Sequence, residues 1–200
     1  MLKRFAPIIA VLSLCWLVFV GNNVLGNGHW NQYGIIPRHL GSLPGIIWSP
    51  FLHGSFSHLA ANSLPLLILG AIICGRSVGE FIAVTAAGVI LGGGLTWLFG
   101  RNAVHVGASG LIFCYFGYLT SLALFDRRVI TVLISLVCLV AYGGMIRGVL
   151  PTSIPISWEG QAAGLVSGIV MAWLNSRLSR SSREKFTTQP QVTTSADVWR

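Results

Sequence analysis

The 200-residue chain is short of charge. Only 9% of its residues are Asp, Glu, Lys or Arg, and five are acidic, whereas about a quarter of a soluble domain is charged. Beside a hydrophobic content of 54%, that deficit excludes a water-soluble globular domain and points to a polytopic membrane protein. The few acids leave a net charge of +8. Its basic residues stand at the ends of apolar runs rather than along the single stripe that binds nucleic acid, so no nucleic-acid partner is expected. Cysteine is sparse as well. Cys15, Cys74, Cys114 and Cys138 lie in or beside apolar stretches without the paired spacing of a zinc site or disulfide framework, so they read as packing residues. Neither a metal nor another cofactor is expected. Internal repeats and matched interrupted helices, the marks of many transporters, are missing, and no charged conduit crosses the apolar segments. A small transporter or channel is therefore the remotest reading. Histidine stops at His105.

Long hydrophobic runs are what the chain does have. A spanning helix needs roughly 20 mostly apolar residues, and six stretches meet that: 5–24, 56–75, 80–99, 107–125, 129–147 and 158–176. The first follows Lys3 and Arg4 and so also resembles a signal peptide, but Gly21, Asn22 and Asn23 make no small-x-small cleavage site, and a retained helix is expected. Six spans put both termini on one side. Lys3, Arg4, Arg76, Arg127, Arg128, Arg177, Arg180, Arg183, Lys185 and Arg200 fall on that side, against Arg38, Arg101 and Arg147 on the other. The excess of positive charge predicts that both termini are cytoplasmic. The expected fold class is an all-α membrane protein, a bundle of six transmembrane helices, N-in and C-in.

The connection over about 25–55 is long and mixed, with Trp30, Tyr33, Ile46, Ile47 and Trp48 among Pro37, Pro44 and Pro50. Such a mixture suits the outer membrane interface, where aromatic rings sit at headgroup level. The connection 148–157, with Pro151 and Pro155, reads as a movable cap. Beyond about Arg177 the chain turns to Ser, Thr, Gln and Arg, a disorder-type composition. Two parts are expected: a transmembrane domain over 1–176 and a disordered basic cytoplasmic tail over 177–200.

Polar groups at membrane depth are costly, and their default reading is functional. The second, fourth and sixth spans all begin on the outer side, and their first turns carry His58 and Asn62, Ser109, and Gln161. His58 and Asn62, four residues apart, share a helix face. Both carry donors able to stabilise an oxyanion beside the N–H of Ser109 at the positive end of its helix; an interhelical polar pair is the alternative. His29, His39, His53 and His105 lie outside or at the rim of the spans and read as interfacial residues. Gly160, Gly164 and Gly168 recur at every fourth position, and with Gly107, Gly110 and Gly117 on the fourth span they predict near contact of two backbones. That contact would bring position 161 within reach of Ser109.

In three places the chain resembles the rhomboid intramembrane serine proteases: FLHGSFSHLAANSLPLLILG, HVGASGLIF and SWEGQAAG. The resemblance spans nearly everything except the tail. It implies that Ser109 is the nucleophile, that its N–H, His58 and Asn62 form the oxyanion site, and that the partners are the lipid bilayer and transmembrane segments of other membrane proteins. It further implies a bacterial inner (cell) membrane with the site facing outward. The family's general base is a histidine that here is Gln161. Cys114 stands where a smaller residue is usual and is expected to widen the contact between the fourth and sixth spans slightly.

Serine attacks a peptide carbonyl only when a base takes its proton. A carboxamide can imitate the geometry of histidine but is too weak a base near neutral pH. Loss of one dyad member in a soluble serine protease costs up to about a millionfold, or ~8 kcal/mol of barrier. Rescue by His105 requires the helix to extend back through Gly107, and Glu159 points to the other side of its helix, where with Ser157 as N-cap it favours the helix start. The expectation is therefore a rhomboid-like protein with crippled hydrolysis, either a natural pseudoprotease or a variant one codon base away from histidine. An active protease with a compensating base is the alternative. Substrate identity and oligomeric state are not legible.

Overall fold

The structure, a computed structural model, describes residues 2–151 and 157–187. Its regular elements are helices, and an isolated antiparallel bridge between Ile35 and His105 is its one extended pairing among the described residues. The long helices are α1 (Ala6–Val24), α3 (Phe56–Arg76), α4 (Val78–Ala87) running into α5 (Gly93–Phe99), α6 (Ser109–Phe125), α7 (Val129–Tyr142) and α8 (Trp158–Thr187); α2 (Gly45–Trp48) is a single turn. Among the described residues, four helical segments are long and apolar enough to cross a membrane: Lys3–Val24, Phe56–Arg76, Val78–Phe99 and Val129–Val149. α6 is apolar but has only 17 residues. α8 combines an apolar stretch with Glu159, Gln161 and a basic C-terminal half.

Local chemistry sets the helix starts. Ser55 caps α3, its hydroxyl accepting the His58 N–H at 3.1 Å, and Ser77 caps α4 through the Glu80 N–H. α4 and α5 are joined through a π turn at Gly88–Gly92, where the Gly88 backbone lies on Leu111 and Cys114 of α6 and Gly93 on Ile46. A π turn costs regular hydrogen bonding and tends to occur at functional sites; this one lines a cavity beside Ser109.

α6 is the axis of the bundle. Leu111 to Leu119 are buried without interruption, because α3, α4, α7 and α8 surround the helix. α1 and α7 instead expose broad apolar faces, such as Leu17 and Val20, and Leu133, Val137 and Val140, as helices solvated by hydrocarbon do. The tightest packing is α6 on α8. A methyl group at Gly164 would collide with the Gly110 carbonyl oxygen and one at Gly168 with that of Cys114, while one at Gly110 would stand 3.1 Å from the Gly160 oxygen. The Cys114 thiol faces away from α8, its Sγ 3.5 Å from the Val84 carbonyl of α4. The expected widening of the α6–α8 contact does not follow from that thiol, since it is the Cys114 main chain that Gly168 of α8 meets most closely.

Several boundaries differ from the sequence reading: the third span starts at Val78 rather than 80, and the fifth leaves the α-helix at Tyr142 and runs on as a 3-10 helix to Val149 rather than ending at 147. α6 starts at Ser109 rather than 107, because Gly107 has φ +116°, a left-handed conformation no α-helix contains. α8 continues past residue 176 to Thr187, since the run from Arg177 holds neither Gly nor Pro to stop it. The expected tail thus begins as helix, and residues 188–200 lie outside the described residues. So does 152–156, the middle of the expected cap.

Candidate active site

The residues singled out in the sequence converge on the head of α6. Ser109 is its first residue, and the first N–H groups of a helix have no intrahelical acceptor. Among the described residues nothing accepts from the Ser109 N–H or bonds its hydroxyl. The positive end of the α6 dipole is thus unoccupied at the serine. Ala108 precedes it without a capping side chain, and the Gly107 N–H is held by the Ser49 carbonyl at 2.8 Å.

Across from this turn stand His58 and Asn62 on one face of α3. The point a β-carbon would occupy on Gly107 lies 2.7 Å from His58 Nε2 and 3.6 Å from Asn62 Nδ2. Glycine leaves a small space there into which both side chains turn nitrogen atoms. An oxygen that became anionic beside Ser109 would meet donors from two elements, α3 and the α6 N-terminus.

Gln161 occupies the first turn of α8, which begins at a capping Ser157: the Ser157 hydroxyl accepts the Gly160 N–H at 3.2 Å. The close Gly110–Gly160 and Gly110–Gly164 contacts draw this turn against that of Ser109. The carboxamide nevertheless does not bond the serine. Its Oε1 lies against Gly148 and beside the Phe113 ring, 8% of the residue is exposed, and the oxygen has no hydrogen-bond partner among the described residues.

The nearest other ionisable groups are engaged elsewhere. His105 is buried, not interfacial: its Nδ1 lies 2.6 Å from the Ser157 hydroxyl and its Nε2 3.0 Å from the Arg101 carbonyl. It ties the α5–α6 connection to the head of α8. The Glu159 carboxylate is buried 3.7 Å from Arg101, its second oxygen unpartnered among the described residues. His105, Ser157, Thr96, Ser49 and Ser109 border a cavity of about 40 Å³, enough to admit water.

His53 also departs from its interfacial reading. It is 1% exposed, with Nε2 3.2 Å from Asn62 Nδ2 and 3.3 Å from the Ala108 nitrogen, and Nδ1 3.3 Å from the Phe51 carbonyl. Its ring meets that of His58 edge-on, centroids 5.1 Å apart. Burial, reinforced by the neighbouring His58, pushes its pKa down to about 4. The clue in the sequence was a histidine five residues ahead of His58; hydropathy placed it just outside the span and hid it. His29 and His39 are exposed.

A family model described as Rhomboid domain matches residues 41–178 of the chain, which contain every residue of this cluster. Uncharacterised proteins of Mycobacterium bovis and Mycobacterium tuberculosis are each 36% identical over 185 residues, covering 88% of this chain and 77% of theirs. An uncharacterised protein of Mycobacterium leprae is 40% identical over 162 residues, or 75% of this chain and 64% of its own.

Proposed function

The chain belongs to the rhomboid family, and from that premise we propose that it engages transmembrane segments of other membrane proteins at the head of α6 but hydrolyses them very slowly. Ser109 is the nucleophile in this reading, and its N–H, His58 and Asn62 receive the oxyanion. The observation that carries it is the buried oxygen of Gln161, which lies against Gly148 and has no hydrogen-bond partner among the described residues, the serine included. A carboxamide there accepts no proton at neutral pH, so attack by Ser109 lacks general-base assistance. The nucleophile, anion site and close α6–α8 packing remain suited to holding a locally unwound segment. The same reading places six spans in a bacterial cell membrane, both termini in the cytoplasm, and the Ser109 face outward.

The test is one substitution. Membranes bearing the native chain should cleave a transmembrane reporter negligibly; Gln161→His should raise cleavage by several orders of magnitude, and Ser109→Ala should abolish the gain. Robust cleavage by the native chain would sink the proposal. It would favour an active protease with a compensating base, for which His105 on the shared cavity is the first candidate to replace. Labelling by a fluorophosphonate reports separately: fast labelling of Ser109 in the native chain also means that a base is present.

A further inference from the structure

We propose that His53 is a positioning residue for the anion site beside Ser109, its unprotonated Nε2 holding both the Asn62 carboxamide and the main chain at Ala108. The proposal rests on the reading of Ser109, His58 and Asn62 above and adds a residue to that machinery. The Ala108 N–H can only donate, so the Nε2 atom 3.3 Å away must accept. The ring proton therefore sits on Nδ1 and is donated to the Phe51 carbonyl at 3.3 Å. Asn62 Nδ2, 3.2 Å away, shares the same lone pair.

Each bond controls one side of the anion site. A carboxamide has two N–H groups. Committing one of them to His53 fixes the rotation of the amide and leaves the other for the space over Gly107, where Nδ2 stands 3.6 Å from the position a β-carbon would take. On the opposite side, Ala108 immediately precedes Ser109 and α6 has no capping side chain of its own. His53, from the segment ahead of α3, accepts the N–H of this Ncap residue itself. With the Gly107 N–H fixed on Ser49, both peptide groups leading to Ser109 are anchored, and so is the direction of the Ser109 N–H. Among the described residues, His53 bonds or stacks on the site through Asn62, Ala108 and the edge of His58, so it orients the donors rather than touching reacting atoms. Protonation would turn Nε2 from acceptor to donor and oppose both bonds at once. The titratable side chain packed against it is His58.

Two measurements on the full-length protein test this. In the native chain, nitrogen-15 spectra of the histidines should show His53 as the Nδ1–H tautomer at neutral pH. The Asn62 side-chain amide resonance should shift when His53 becomes Leu and much less when it becomes Gln, whose Oε1 restores an acceptor. In the Gln161→His background, cleavage of a transmembrane reporter should keep kcat within about threefold for His53→Gln. For His53→Leu it should fall tenfold or more with KM within about twofold, a smaller loss than the ~10²–10³ of removing an anion-site donor outright. An Nε2–H tautomer at neutral pH overturns the proposal, as does a His53→Leu variant whose kcat is unchanged. So does a His53→Gln variant as impaired as His53→Leu with the thermal midpoint lowered equally, which is a packing role alone. If Gln161→His restores no cleavage, the reading of the site as a crippled protease fails, and the spectra decide for or against His53 by themselves.

Discussion

Gly107 carries more of the site than its size implies. Its φ of +116° lies where side chains are strained, and a β-carbon there would enter the space faced by His58 Nε2 and Asn62 Nδ2. Gly107→Ala should therefore cost about 1–3 kcal/mol of stability. In the Gln161→His background it should also remove most of the restored cleavage, because the methyl group fills the proposed anion position; reporter turnover and thermal midpoint measured together separate the two effects. His53 makes a pH prediction at the same scale. Its pKa is pushed from the usual 6.5 to about 4 in the folded state, so folding favours the neutral ring. The stabilisation is fully present above about pH 6.5 and is lost as pH falls toward 4. The span of 6.5 to about 4 corresponds to about 3 kcal/mol. Unfolding midpoints between pH 7 and 4 should fall in the native chain and fall much less in His53→Gln. The candidates Ser109, His58, Asn62 and Gln161 were legible in the sequence because a polar side chain inside a 20-residue apolar run has few bland explanations. His53 and His105 were not: both lie in connections, and burial of a connection depends on what folds over it.

At the scale of elements, the contact of α6 with α8 is the one the site depends on. It is a backbone contact, made where Gly164 and Gly168 meet the carbonyls of Gly110 and Cys114. Helices in lipid gain no hydrophobic drive from meeting, so approach this close rests on packing between small residues. Gly164→Val should separate the two first turns, with a stability loss of at least ~3 kcal/mol, since overpacking against fixed backbone has no side chain to yield. Gly94→Ala is the matched control. Nothing lies within 4 Å of its added carbon, so a helical glycine replaced by alanine there should be neutral or stabilising by about 1 kcal/mol. Denaturation in mild detergent, following helix content, compares the two. The four-residue glycine spacing on α8 was visible in the sequence. The π turn joining α4 to α5 was not, because nothing in a run of glycines distinguishes a π turn from a regular helix until a neighbour presses on it.

For the whole molecule, the arrangement of basic residues carries the orientation. In the proposed orientation, with both termini cytoplasmic, the α5–α6 connection would lie outside and the α6–α7 connection inside. Asn102→Cys should react with a membrane-impermeant maleimide on intact cells, and Arg127→Cys only after permeabilisation. All four native cysteines are free and buried, so their background should be low; the opposite labelling pattern would invert the topology and put Ser109 on the cytoplasmic side. Hydropathy and charge acted through the solvent, and for that reason the sequence by itself determined the membrane class, the helical fold class and the approximate positions of the apolar helices. Each of those depends on one segment and its surroundings, not on a partner. What only the tertiary structure decided are relations between segments: that His53 reaches across to Ala108, that the Cys114 thiol turns to α4, and that the Gln161 oxygen rests on Gly148 without a hydrogen bond to Ser109. Those directions follow from which backbones touch, and the contacts between glycines and carbonyls exist only once the helices have packed.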